Sequence, residues 1–471
     1  MCSSDLVCSS GDNNVAIGFE SLDSEIGGGA SVAVGYQALL DQNTSNTNYN
    51  TAVGFQSGKS ITSSQYNTIV GGLAADALTT GNENTAIGVG ALGTETAGDR
   101  NVAVGNGALT TQNTTGGGDI YNTAVGYNAG TSVTTGVENT IIGGLAGDAL
   151  TTGNENVAVG LASLGGDTQG KKSVAVGWGT LTAQNFTSAT DAYNTAIGYA
   201  AGNDITTGQF NTFVGGLSGD AYTTASNNTA LGYNSLTANT TGTGNVAVGT
   251  ALSANTTAND NTAVGNGSLG SNSTGASNTA IGRNALVSNT TASNNSAVGF
   301  HSLYSNTTGA NNTSLGHSAL AINSTGQENT AIGQSALYSN TGSYNTTVGK
   351  QALYYNTGAN NVAMGVNALV NNTTANNNTA VGWYSARSNT TGTGLTAIGL
   401  QALDQNTTGN YNTAVGQEAL KANTTTSSNT AVGYQSMISH TGQRNTAVGS
   451  EALRTGTGNA NSAFGYEALY N

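Results

Sequence analysis

Proline is absent from this sequence of 471 residues, and charged residues make up only 7% of it. An ordinary soluble domain has about 25% charged residues, and disordered chains are usually rich in both proline and charge. The sequence also has no long apolar run of the kind that crosses a membrane. These absences argue against a disordered chain and predict no membrane insertion.

Basic residues are also scarce, since ten Lys and Arg stand against 24 Asp and Glu. The resulting net charge of −14 predicts no nucleic-acid partner, because such a partner requires clustered positive charge. Cys2 and Cys8 both lie in residues 1–13, which we interpret as an N-terminal extension. Neither a disulfide framework nor a cysteine-based metal site is therefore expected in the rest of the chain.

What the sequence does contain is one short motif, repeated from residue 14 onward. Its clearest form is Asn-Thr-Ala-Val-Gly, as at Asn261–Gly265 and Asn412–Gly416. We call its final glycine position 0. This glycine recurs most often every 17 residues and defines about 27 units. So short and persistent a period predicts an all-β parallel solenoid, in which each coil packs only against its neighbours.

A slower period divides the solenoid into two segments. Gly54, Gly126 and Gly198 stand 72 residues apart, and one longer loop recurs in each four-coil block. After Gly249 the longer loop disappears and the coils are uniform. We therefore predict a segment with four-coil blocks at 14–249 and a segment with uniform coils at 250–471.

Within each coil, position −3 is Thr, Val or Ser, position −2 is nearly always Ala, and position −1 is almost always Val or Ile, with Leu, Phe and Met as exceptions. This pattern predicts a short strand, and the Asn/Thr/Gly run that follows the leucine at +4 predicts a turn. Side chains alternate along a strand, so −3 and −1 share a face. We expect the large −1 residue, such as Val298, to enter the core with the +4 leucine. Gln334, at +1, should lie outside.

The other face, formed by Ala at −2 and Gly at 0, is not polar either. Where −2 is large, as at Ile69, a second glycine follows at +1 (Gly72), which we interpret as volume compensation. A strand that is apolar on both faces is usually covered on both. Another copy of the chain around a threefold axis is the simplest cover, and a monomer with an exposed Ala/Gly face is the alternative.

The unit Asn-Thr-Ala-Val-Gly with a downstream Ala/Ser-Leu resembles the head repeats of trimeric autotransporter adhesins. It is also similar to the repeats of phage tail fibres that precede an endosialidase-type chaperone domain. The resemblance covers residues 14–469. It implies a homotrimeric, left-handed β-roll that serves as an extracellular adhesin or fibre on a cell or virion.

Position +1 is the most variable position near the strand and is often aromatic. Exposed rings there would stack on sugars or on a host receptor, whereas packing against the neighbouring coil is the alternative interpretation. The candidate surface-binding residues are Trp178, Tyr199, Tyr233, Phe300, Trp383 and Tyr434.

Asparagine recurs in the turn after +4 in consecutive coils, from Asn239 to Asn423. Coils about 4.8 Å apart would let these side chains hydrogen-bond in a ladder. Most of these asparagines also fit the glycosylation pattern Asn-x-Thr/Ser, but a glycan on every coil would be crowded. We favour the ladder and keep Asn43 and Asn406 as the glycosylation candidates.

No catalytic motif is recognisable, so the sequence predicts a non-enzymatic protein without cofactor or metal. The expected function is a structural fibre or adhesin shaft. The alternatives are an ice-binding solenoid, suggested by the partial threonine row at −3, and a glycan-processing enzyme. We also expect the first and last coils to expose unpaired strand edges, which favours head-to-tail filaments or a longer polypeptide.

Overall fold

The computed structural model describes residues 11–470, which form a parallel β-solenoid of about 26 turns without any helix in that range. The predicted all-β parallel solenoid and its 17-residue period are thus confirmed, whereas the left-handed roll and the homotrimer stay predictions. Residues 1–10, with Cys2 and Cys8, lie outside the described residues. The chain divides into two compact units, one ending at Thr243 and the other beginning at Gly244. The predicted segments 14–249 and 250–471 stay a prediction about repeat organisation.

Each coil contributes one three-residue strand at positions −3 to −1. In the first unit the strands are Val15–Ile17, Val32–Val34, Thr51–Val53, Thr68–Val70, Thr85–Ile87, Val102–Val104, Thr123–Val125, Thr140–Ile142, Val157–Val159, Val174–Val176, Thr195–Ile197, Thr212–Val214 and Thr229–Leu231. In the second unit they are Val246–Val248, Thr262–Val264, Thr279–Ile281, Ser296–Val298, Thr313–Leu315, Thr330–Ile332, Thr346–Val348, Val362–Met364, Thr379–Val381, Thr396–Ile398, Thr413–Val415, Thr430–Val432, Thr446–Val448 and Ser462–Phe464.

Two-residue strands form small additional sheets beside the main one. In the first unit they come from the longer loops of the four-coil blocks, where each loop strand pairs with one in the preceding coil: Gly98–Asp99 with Gly118–Asp119, and Gly170–Lys171 with Thr190–Asp191. In the second unit they are Ile322–Asn323, Ser339–Asn340, Tyr355–Asn356, Ser439–His440 and Thr455–Gly456.

Neighbouring strands pair in parallel with equivalent residues side by side. Thr262 pairs with Thr279, for example, and Val264 with Ile281. Each repeat position therefore forms a row that runs from coil to coil. All residues of one row point the same way, either into the coil or outward. If the orientation assigned to one position is wrong, it is therefore wrong in every coil.

The expected orientation of the strand is wrong. Alanine at −2 is the buried residue, with Ala297 fully enclosed, whereas Val298 at −1 is only half-buried and Ile281 at −1 is 40% exposed. The +4 leucines are buried as predicted, Leu303 among them, except Leu469 in the last coil, which is 55% exposed. The interior of a coil holds the −2 and +4 side chains together with two inward asparagines, so a small residue fits at −2 and the larger one must point out.

Large side chains at −2 point into the coil. The small residue that makes room for them is at +4, not at +1 as expected. Phe213 and Ile141 are fully buried, and the +4 leucine of their own coils is replaced by Gly219 and Gly147. A Cβ on Gly219 would lie 2.7 Å from Phe213 Cε1. The compensating position is therefore +4, which leaves the glycines at +1 unexplained by core volume.

The glycine at position 0 is required by the close approach of successive coils. Gly282 has a φ of 128°, and a Cβ there would lie 2.6 Å from the carbonyl oxygen of Gly299 in the next coil. Any side chain at this position would have to displace backbone, which explains why the motif ends in glycine.

Two asparagine ladders hold the coils together. The predicted ladder is confirmed from Asn255 to Asn423; Asn306, for instance, donates from Nδ2 to Asn289 Oδ1 at 2.9 Å and to the Gly309 carbonyl at 2.9 Å. A second ladder, which we did not predict, uses the asparagine at −4. Asn278 Oδ1 accepts from the backbone N–H of Asn295 at 2.9 Å.

Candidate binding face

In each unit the outward side of the main strands carries positions −5, −3, −1 and +1, and we call it the outer face of that unit. Its −1 row is apolar and half-buried to exposed, with Leu315 at 47% and Ile197 at 40%. Its −3 row is Thr, Val or Ser and is half-buried to exposed, as at Thr313. Since soluble proteins seldom expose long apolar rows, this face is the candidate functional site.

The six predicted +1 residues, three in each unit, are all exposed at the same edge of the outer face of their own unit, which we call the exit edge. Their exposed fractions run from 39% for Phe300 to 64% for Tyr233. The rings also stack on neighbouring coils, since the centroids of Trp178 and Tyr199 are 4.9 Å apart. Exposure and inter-coil packing therefore coexist at this edge, and binding stays a prediction for Trp178, Tyr199, Tyr233, Phe300, Trp383 and Tyr434.

The opposite edge, at position −5, carries a second aromatic row that sequence analysis missed. We call it the entry edge. Tyr49 and Tyr66 stack with centroids 5.6 Å apart, and Tyr193 and Phe210 with centroids 5.8 Å apart. The only sequence signal was an aromatic residue directly before the motif asparagine, outside the part of the repeat that defines the strand.

Charged groups cluster at the entry edge beside the longer loops. Lys172 Nζ lies 2.8 Å from Asp191 Oδ2 and 5.2 Å from the ring centroid of Tyr193. In the preceding block, Arg100 makes the equivalent contacts with Asp119 and Tyr121. The hydrogen bond from Lys172 lowers the pKa of Asp191, and both groups are charged at neutral pH. These exposed pairs fix loop positions at modest energy.

Three carboxylates, Glu25, Glu95 and Asp167, lie fully buried in the first unit, at the position that the second unit fills with the asparagine ladder. Glu95 accepts from Gln112 Nε2 at 3.0 Å, from the backbone N–H of Gly98 at 2.8 Å and from Thr114 Oγ1 at 2.9 Å. Burial alone would raise the pKa of Glu95, but these hydrogen bonds outweigh it and lower the pKa.

Asp167 is the equivalent residue in the next block and behaves in the opposite way. It accepts from Gln184 Nε2 at 2.7 Å and from the backbone N–H groups of Gly170 and Phe186, both at 3.1 Å. Because it has fewer donors than Glu95, desolvation by burial dominates and raises the pKa of Asp167.

The two glycosylation candidates have opposite surroundings. Asn43 is exposed. Asn406 is fully buried, and its Nδ2 donates to Asn389 Oδ1 at 2.9 Å and to the Gly409 carbonyl at 3.1 Å. The nitrogen that would carry a glycan is engaged in the ladder, which argues against modification of Asn406.

The three histidines do not form one cluster. His301 and His317 flank Phe300, with ring centroids 3.8 and 5.3 Å from it, whereas His440 is buried in a distant coil. Burial, and then the nearby Arg283, lowers the pKa of His301. Within residues 11–470 no group of three or more His, Cys, Asp or Glu residues is placed to hold a metal ion. The expectation of a protein without metal or catalysis stays a prediction.

No protein-family model matches the chain, and no curated protein matches it either. In the part of the chain that the structure describes, no helix is long and apolar enough to cross a membrane.

Proposed function

We propose that this chain is a non-enzymatic structural shaft of an extracellular fibre or adhesin, and that it assembles as a homotrimer through its outer face. The observation that carries the proposal is the exposed −1 row, which includes Ile281 and Leu315. A threefold arrangement would bury this row at a common axis. The resemblance to adhesin head and tail-fibre repeats points in the same direction.

The outer face is large enough for such an interface. Each coil adds a strip about 4.8 Å high, and the seven positions from −5 to +1 span about 20 Å, so a coil contributes about 100 Å². A standard interface buries about 800 Å² on each partner. About eight coils would supply that area, and the three-residue strands of either unit exceed this number.

The test is the mass of the intact chain in solution. We expect three chains per particle by light scattering, and we expect Val264→Asp together with Ile281→Asp to yield monomers, because buried unpaired carboxylates are costly. Thr308→Asp is the matched control, because Thr308 is exposed in the turn away from the outer face. A parent chain that is monomeric at every concentration would refute the homotrimer.

A second proposal, which is an alternative to covering the exit edge with another copy, concerns sugar or receptor binding at this edge. Trp383 is 50% exposed and stacks on Tyr384 with centroids 4.4 Å apart, and the Arg387 guanidinium lies 4.7 Å from the Tyr384 ring centroid. Such a cluster offers ring faces and hydrogen-bond donors to a saccharide. On a glycan array, Trp383→Ala should lose signals that Gln334→Ala retains, and equal signals would contradict this role.

A further inference from the structure

Three coils have no side chain at the exit edge, at Gly72, Gly144 and Gly216. None of these glycines has a φ in the left-handed region. The nearest atom to a Cβ on Gly72 would be the Phe55 carbonyl oxygen at 4.0 Å, and on Gly216 it would be Tyr233 Cδ2 at 3.6 Å. Both are ordinary contacts, so neither the backbone nor the packing of one chain requires glycine here. A contact with another chain would explain why these three positions are glycine.

Each missing side chain leaves a notch in the exit edge. Gly216 lies between the coils of Tyr199 and Tyr233, which are 58% and 64% exposed. Where rings occupy successive coils of this row, they stack with centroids 4.9 to 5.6 Å apart. The notch at Gly216 is therefore about one ring thick and has aromatic walls. The notch at Gly72 lies in the same way between Phe55 and Val89.

Apolar side chains also border the notches. Leu73 follows Gly72 and is 40% exposed although its φ is 55°. Position +2 has a positive φ in nearly every coil, and most other coils have a polar or small residue there. Apolar walls and an exposed leucine fit an apolar, ring-shaped occupant.

The entry edge of two of these coils carries such a ring. Tyr66 precedes Gly72 by six residues, and Phe210 precedes Gly216 by six. Both rings are about half exposed, and each is held in place by stacking on the ring of the preceding coil. In the middle block the corresponding residue is Glu138, so a ring is not available there.

Threefold symmetry brings these two edges together. Around a cyclic axis the exit edge of one copy meets the entry edge of the next, and equivalent coils lie at the same height. Resting on the homotrimer proposed above, we propose that Phe210 and Tyr66 of each copy insert into the notches at Gly216 and Gly72 of the next copy. The inserted rings fix the register of the chains.

A compensation experiment on the full chain tests this insertion. Gly216→Trp fills the notch while having room within its own chain, and it should weaken trimer formation at least tenfold, measured by sedimentation equilibrium. Adding Phe210→Ala removes the ring that would clash and should restore most of the lost association. Because the two positions occupy opposite edges of one chain, their coupling must arise between chains.

Tyr66→Ala is the matched control, because it removes a ring from the same row at another height. Combined with Gly216→Trp, it should not restore the trimer. The insertion is refuted if the parent is trimeric and Gly216→Trp leaves association unchanged, if the effects of Gly216→Trp and Phe210→Ala simply multiply, or if Tyr66→Ala rescues as well as Phe210→Ala. A parent that is monomeric throughout overturns the homotrimer itself and the insertion with it.

Discussion

At the scale of single residues, side-chain hydrogen bonding in the coil interior was predictable only in part. The ladder from Asn255 to Asn423 could be predicted because amide side chains at coil spacing have few other partners once they are buried. The −4 ladder was missed because its asparagine looked like the turn residue before a strand. Its role is backbone capping: Asn278 Oδ1 accepts an N–H from the next coil. Sequence periodicity does not show which group an asparagine side chain hydrogen-bonds to.

Removing one side chain from the first ladder should destabilise the second unit. Asn306→Ala deletes two donated bonds and leaves the Asn323 amide, which donates to Asn306 Oδ1 at 3.0 Å, without that acceptor. We expect a loss of about 1–3 kcal/mol, the range for an unsatisfied buried polar group. Urea unfolding measures it, and the exposed Thr308→Ala is the control. Equal stability of both variants would contradict a structural role.

The buried acids predict opposite responses to pH. The pKa of Glu95 is lowered in the fold, so its stabilising contribution is present above the unfolded pKa and disappears as pH falls through the folded pKa. The pKa of Asp167 is raised, so its contribution is present below the unfolded pKa and disappears as pH rises through the folded pKa.

Thermal unfolding across pH 3 to 7 separates the two acids. Glu95→Gln should reduce the loss of Tm on acidification and lower Tm at pH 7, because an amide cannot accept all of the donors around the carboxylate. Asp167→Asn should instead remove a loss of Tm that appears as pH rises. If both variants changed the pH profile in the same direction, the assignment of opposite shifts would be wrong.

At the scale of the strand, periodicity gave the correct element but the wrong side. Two β-branched residues at −3 and −1 identified strands such as Thr262–Val264, and alternation correctly placed both on one face. We then assigned the face with the larger side chains to the interior. This assignment was wrong because the +4 leucine and two asparagines already occupy the narrow interior of each coil. A regular repeat does not show how much side-chain volume the interior of a coil can hold. The coil of Phe213 does show it, because the large side chain at −2 coincides with the replacement of the +4 leucine by Gly219.

The corrected orientation reverses the expected effects of two neighbouring substitutions. Ala297→Asp places a carboxylate inside the coil and should cost several kcal/mol, destabilising adjacent coils as well. Val298→Asp places it on the outer face and should leave the coil intact while weakening association. Hydrogen exchange resolved by coil measures the first effect, and light scattering the second. Exchange that increases more in Val298→Asp than in Ala297→Asp would restore the original orientation.

At the scale of the whole molecule, the apolar outer face links stability to association. Anything that binds only the folded state raises stability in proportion to the logarithm of its concentration, and here the ligand is another copy of the chain. Because the charged fraction is only 7%, few charged groups lose water when copies come into contact. The threonines at −3 share this face, so thermal hysteresis of ice growth would appear only if the face stayed free in solution.

The Tm of the parent chain should therefore rise with protein concentration, because unfolding a trimer releases three chains. The variant with Val264→Asp and Ile281→Asp should melt at a temperature independent of concentration, since its coils keep their interior but lose their partner face. Scanning calorimetry over a hundredfold concentration range measures both, with Thr308→Asp expected to behave like the parent. A parent Tm independent of concentration, together with a monomeric mass, would show that no second copy covers the outer face.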